Sequence, residues 1–184
     1  MINSPDSSSA PVLREPQPGD LPQLRPILEH WIKDRDTGEV IPSEVAKVLG
    51  LVESQTQGNN DRYFMVATES DGQVIGLMGV QDASEAMLPF TSNPDNPNAA
   101  EIVNAYVSPN ARTRGIGRLL LKSLESHARQ LAFEEIVVNS GPRYKDSGWP
   151  FWTAVYGAPT GTAYGLYGPS GDAPVWRKEL SGQK

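Results

Sequence analysis

The chain has 184 residues, a net charge of −6 and no cysteine. That length suits one domain with a sizeable core, and the absence of cysteine excludes disulfides, thiolate metal sites and a thiol nucleophile. Its two isolated histidines, His30 and His127, argue against a histidine-based metal site, and the acidic balance argues against nucleic acid as a main partner.

Residues 1–11 hold prolines and serines but neither the basic nor the apolar stretch of a secretion signal. They read as a disordered tail before a single domain over 12–184, and a cytoplasmic location is expected. No apolar run approaches the roughly 20 residues of a membrane span, so no membrane association is expected. Val12–Glu15 predicts a short strand. Asp20 is placed to cap a helix with Leu21, Leu24, Leu28, Trp31 and Ile32 at helical spacing. A turn around Asp36–Gly38 leads to a second helix, capped by Ser43 and running through Val45, Val48, Leu49 and Val52. After a break at residues 58–61, Tyr63–Glu69 and Gln73–Gln81 predict two strands joined by Ser70-Asp71-Gly72, a hairpin signal. Residues 83–100, rich in Pro, Asn and Ser, predict a long loop. Strand Glu101–Val107 follows, then a short turn and a long helix with Ile116, Leu120, Leu124, Ala128 and Leu131 on one stripe. The β-branched run Glu134–Asn139 predicts a strand parallel to Glu101–Val107. A short helix over 147–156 and strands over 163–167 and 173–180 close the order.

The turn between strand and helix, Arg112-Thr113-Arg114-Gly115-Ile116-Gly117-Arg118, carries the most chemistry. Successive backbone N–H groups and the positive end of a helix meet at one spot, which suits a diphosphate. Gly115 and Gly117 lack Cβ, so backbone can approach phosphate oxygens, and the arginines can fork onto them. A dinucleotide fingerprint would need a third glycine where Leu120 stands, and no Gly-Lys-Ser/Thr follows for a nucleotide-triphosphate loop. A bland strand-to-helix turn with solvated arginines remains the alternative. Residues 1–100 carry 6 Lys+Arg against 15 Asp+Glu, and residues 101–184 carry 10 against 7. The half with the turn is therefore positive, which suits an anionic cofactor, and the acidic half suits an amine; ordinary solvated faces are the alternative.

Arg112-x-x-Gly115-x-Gly117 after a strand resembles the acyl-CoA signature of the GNAT (GCN5-related N-acetyltransferase) superfamily. The element order, β-α-α-β-β-β-α-β-α-β-β, resembles the complete fold of that family from about Val12 to Leu180. The resemblance implies an α/β (α+β) single-domain fold with a mixed, mostly antiparallel sheet, two splayed parallel strands and flanking helices. It also implies an acetyl-CoA-dependent N-acetyltransferase, without a metal. Backbone groups of Ala105, Tyr106 and Val107 would bind the pantetheine arm. Residues Arg112, Thr113, Arg114, Gly115, Ile116, Gly117 and Arg118 would hold the pyrophosphate. Asn139 would stand near the arm, or simply end its strand.

Glu101 is the candidate general base, because the run Ala-Glu-Ile-Val before Arg-Gly-x-Gly resembles the histone acetyltransferase branch of the family. It lies about four residues from the thioester position, roughly 13 Å along a strand, and would act through water; the alternative is a solvent-facing glutamate. Family members often carry an acid tyrosine where this chain has Trp152, whose indole has no proton to give. Tyr144 and Tyr156 are the substitutes, each with a structural alternative. Arg143 is a candidate clamp for an acceptor carboxylate, and Trp149 and Trp152 a candidate acceptor wall; the alternative is tryptophans packed in the core and solvated charges. The expected acceptor is a small-molecule primary amine, such as an amino acid or derivative. A non-catalytic acyl-CoA-binding module, a protein lysine or N-terminal acetyltransferase, and a homodimer all stay open.

Overall fold

A computed structural model describes residues 10–59 and 61–180. The expected disordered tail lies outside these residues, apart from Ala10 and Pro11. The strands are β1 Val12–Arg14, β2 Tyr63–Thr68, β3 Val74–Asp82, β4 Ala99–Val107, β5 Glu135–Asn139, β6 Gly161–Ala163 and β7 Ala173–Glu179. They form one sheet in the order β1-β2-β3-β4-β5-β7-β6, with every pairing antiparallel except β4–β5.

Helices α1 (Leu21–Trp31) and α2 (Pro42–Thr56) cover one face, and α3 (Ile116–Gln130) and α4 (Gly148–Tyr156) the other. Strand alternation assigns the faces: Phe64 and Val66 pack with Leu24, Leu28, Val48 and Val52, while Met65 and Ala67 pack with Ile116, Leu120 and Leu124. The segment 83–98 lays Met87 and Phe90 on Val137, Ala163 and Val175, so it shields the α1/α2 side of β5 and β7. Buried Glu135 of β5 pins this segment by accepting from the Ser92 N–H (2.8 Å) and hydroxyl (3.0 Å). The predicted loop thus packs as part of the fold, with a 3-10 turn at Leu88–Phe90.

Three local expectations are corrected. Asp20 precedes α1 but makes no side-chain cap bond. Its carboxylate instead accepts from Gln17 N–H (2.7 Å) and the two terminal guanidinium nitrogens of Arg14 (2.7 and 2.8 Å). Helix α2 begins at Pro42, one residue before the expected Ser43 cap, because proline is pre-set for a first helical turn. The last hairpin strand is Gly161–Ala163 rather than 163–167: Gly165 and Gly168 take φ of 64° and 99°, and Asp172 accepts the Gly165 N–H at 2.8 Å. Among the described residues, no helix is long and apolar enough to cross a membrane.

Candidate active site

Parallel pairing of β4 with β5 ends at Glu101 and Val137. Just beyond, β4 bulges: Gly79 pairs with Val103 and Leu77 with Tyr106, so Asn104 and Ala105 stand opposite Met78 alone. Asn104 adopts φ 52° there. A bulge increases local twist, and it leaves Val103 and Tyr106, three residues apart, on the same sheet face. Between the diverging strands opens a cleft of about 790 Å³.

One end of the cleft is the turn. Thr113 and Gly115 adopt φ of 63° and 80°, and the first helical bond of α3 runs from Leu119 N–H to the Gly115 carbonyl (3.1 Å). The N–H groups of Ile116, Gly117 and Arg118 therefore have no acceptor inside the helix. Arg112, Thr113, Gly115, Ile116, Gly117 and Arg118 all line the cleft. Arg112 stacks over the Trp31 ring at 5.2 Å. Arg114 does not line it: its guanidinium forks onto Glu69 (2.6 and 3.1 Å), tying the turn to the β2–β3 hairpin. A Cβ on Gly117 would stand 3.1 Å from the Phe151 ring, so this glycine also admits α4 against α3.

Next to the turn, Ser108 N–H donates to the Ile75 carbonyl at 2.8 Å. Antiparallel residues alternate in the neighbour they face, so the backbone of Val107 turns to the cleft. Its carbonyl already accepts from Trp31 Nε1 (2.8 Å), which leaves its N–H for a ligand. Tyr106 turns its backbone to β3 and contributes its side chain to the cleft, which corrects the expectation of a backbone contact there. Ala105, in the bulge, also lines the cleft.

At the other end Glu101 is buried, not solvent-facing, at 5% exposure. Its Oε2 accepts from Ser84 N–H (2.9 Å) and Gln81 Nε2 (3.3 Å), and its Oε1 from Asn139 Nδ2 (3.3 Å). Asn139 Oδ1 accepts in turn from the Tyr167 hydroxyl at 2.6 Å. Tyr144 lines the same space, its hydroxyl 3.4 Å from that of Tyr106, and burial raises its pKa. Arg143 forks onto Glu44 at the start of α2 (2.9 and 3.0 Å), bridging the two walls. Lys47 and Arg62 add positive charge to the lining.

Two of the other predicted site residues lie elsewhere. Tyr156 points away from the cleft and donates to Glu125 (3.0 Å), which also receives Lys178 Nζ at 2.9 Å; burial, with the Glu125 charge, raises the Tyr156 pKa. Trp149 packs on the core and donates from Nε1 to the Ser140 carbonyl at 2.9 Å, outside the lining. Trp152 lines the cleft from the core, 4% exposed. Tyr167, Glu44, Lys47, Arg62 and Trp31 escape sequence reading as site residues, because only the packing of α1, α2, the segment before β2 and the 164–172 loop brings them to the splayed strands. Among the described residues, no group of three or more His, Asp or Glu side chains is placed to hold a metal ion.

A sheet opened at its one parallel seam, with a helix-initiating turn at the mouth, is the architecture of a cofactor-cradling α/β enzyme. Residues 25–148 match the acetyltransferase (GNAT) family, and the chain belongs to it. An IAA acetyltransferase of Azospirillum brasilense is 30% identical over 108 residues, a stretch covering 59% of this chain and 61% of that protein. The match thus spans less than two thirds of that relative's length. Among solved structures, a GNAT-family protein from Desulfovibrio desulfuricans superposes with a TM-score of 0.72 at 19% identity, covering 94% of this chain and 100% of that one. A phosphinothricin acetyltransferase from Sinorhizobium meliloti, in complex with AcCoA, superposes at 0.66 with 23% identity, covering 93% and 89%.

Proposed function

We propose that the protein transfers the acetyl group of acetyl-CoA to a primary amine of a small molecule, by direct attack in a ternary complex. One observation carries the reading: a single cleft joins the turn with its unpaired N–H groups to a polar end built on Glu101, Asn139 and Tyr144. The pyrophosphate lies on the N–H groups of Ile116, Gly117 and Arg118, with Arg112 and Arg118 alongside. The Val107 N–H holds the pantetheine arm. The amine nitrogen bonds the acyl carbon and the carbon–sulfur bond breaks, sulfur leaving with the electron pair. Glu101 takes the surplus proton of the nitrogen through water, and Tyr144, kept protonated by its burial, supplies a proton to the thiolate. With no cysteine in the chain, a thioester intermediate on the protein is ruled out.

Arg143 favours acceptors that carry a carboxylate beside the amine, exchanged for Glu44 on binding. The test is thiol release from acetyl-CoA with α-amino acids, polyamines and arylalkylamines, the product checked by mass spectrometry. Acetylation of at least one free amine is expected. Activity on lysine peptides alone would move the reading to protein acetylation. Acetyl-CoA binding without any transfer would make the protein a CoA-binding module.

A further inference from the structure

The Tyr167 hydroxyl lines the cleft, yet no motif points to it. Its ring lies over Gly141, where a Cβ would come within 3.3 Å of it. The residue is half exposed, but its hydroxyl reaches in to Asn139 at 2.6 Å.

The polarity of this chain of bonds is fixed from its buried end. The Ser84 backbone N–H, whose polarity is fixed, donates to Glu101 Oε2, and a carboxylate offers only acceptors to the amide facing its other oxygen. Asn139 must therefore turn Nδ2 to Glu101 and Oδ1 to Tyr167. A carbonyl oxygen only accepts, so the phenol proton is committed to Asn139. The direction is Tyr167 to Asn139 to Glu101, and the oxygen of Tyr167 keeps its lone pair for a donor on the cleft side.

We propose that this oxygen accepts an N–H of the incoming amine and holds it so that its lone pair faces the thioester; the assignment rests on the N-acetyltransferase reading above. Tyr167 is then an orienting group that touches the acceptor and does not serve as the proton donor to the thiolate. Burial of the phenol, together with the facing Glu101 charge, pushes its pKa up to about 12, so it stays protonated across the neutral range. A primary ammonium that has just lost its proton offers two N–H groups, one for Tyr167 and one to be released after attack.

The test uses the full chain and the amine of the panel that the wild type acetylates fastest. Tyr167→Phe removes only the hydroxyl. Its kcat/KM for the amine should fall about tenfold to a hundredfold, chiefly through KM, with acetyl-CoA affinity within about twofold of wild type. The pH profile of kcat should keep its shape. Tyr164→Phe, in the same loop and 82% exposed, should match wild type and controls for disturbance of the loop. Three results overturn the assignment: an unchanged kcat/KM, an equal loss of acetyl-CoA affinity, or the loss of the alkaline limb expected of a general acid. Should the wild type bind acetyl-CoA and acetylate no amine, the acetyltransferase reading falls and takes this one with it. An active wild type matched by Tyr167→Phe sinks the Tyr167 assignment alone.

Discussion

Replacing Glu101 by glutamine changes one atom and reverses a row of hydrogen bonds. The carboxylate accepts from Ser84 N–H, Gln81 Nε2 and Asn139 Nδ2. Glutamine has one carbonyl, and the backbone N–H of Ser84, the shortest donor at 2.9 Å, claims it. The new NH2 then faces Asn139, whose amide must flip to present its oxygen. Asn139 would now donate to Tyr167, and the phenol proton would swing into the cleft, toward the N–H groups it should receive. Two losses follow, the base and the acceptor-orienting lone pair. A positioned general base contributes about 10²–10⁴ in rate, so kcat/KM for the amine should fall by at least about a hundredfold. Loss of charge-assisted bonds in a buried site should also cost about 1–3 kcal/mol of stability, or a Tm drop of about 2–4 °C per kcal/mol for a chain of this size. Stopped thiol-release kinetics, acetyl-CoA calorimetry and thermal unfolding read the three effects separately. Acetyl-CoA affinity should hold, since the turn lies at the other end of the cleft. A variant with kcat/KM within about threefold of wild type would refute both the base assignment and the polarity argument.

Gly117→Ala should cost about 1–3 kcal/mol by pressing on Phe151, the contact a Cβ would make at 3.1 Å; Phe151→Leu should recover part of that loss in a double-mutant unfolding cycle, and strict additivity would rule the contact out. Burial raises the carboxyl pKa of Asp20, but the Arg14 fork and the Gln17 N–H overcome it and leave the pKa below its ordinary value. Its contribution to stability is therefore present above the usual carboxylate range and lost as pH falls through the depressed value. Asp20→Asn should be less stable than wild type by about 2 kcal/mol at neutral pH, with the two unfolding curves converging in acid; a gap independent of pH would contradict this. Arg143→Met should raise KM for a carboxylate-bearing amine about tenfold or more and spare the matching amide, whereas equal effects on both would remove Arg143 from acceptor recognition.

The turn and its helix were legible because their signal is local: Gly115 must take φ 80°, and the stripe of α3 repeats at helical spacing. The splay was not. It depends on a bulge at Asn104, whose φ of 52° no residue pattern announces, and on where pairing with β5 stops. Alternating aromatic and apolar residues made 163–167 resemble a strand, and that reading hid Tyr167. The glycines at 165 and 168 break the strand there and free the loop to carry its phenol to Asn139. Arg114 and Tyr156 show the opposite error. Each has the right residue type in the right segment, but Glu69 and Glu125, distant in sequence, hold them away from the cleft. Partners such as Glu44 for Arg143, 99 residues apart, belong to tertiary packing and leave no trace in periodicity.

The central claim is that the splayed strands and the turn form an acetyl-CoA site, and calorimetric titration of acetyl-CoA tests it most directly. The wild type should bind with a micromolar Kd, and an Arg112→Glu/Arg118→Glu double variant, its folding checked by thermal unfolding, should bind about a hundredfold more weakly or worse. A folded wild type that takes up no acetyl-CoA, or a double variant that binds it as tightly as wild type, would contradict the account.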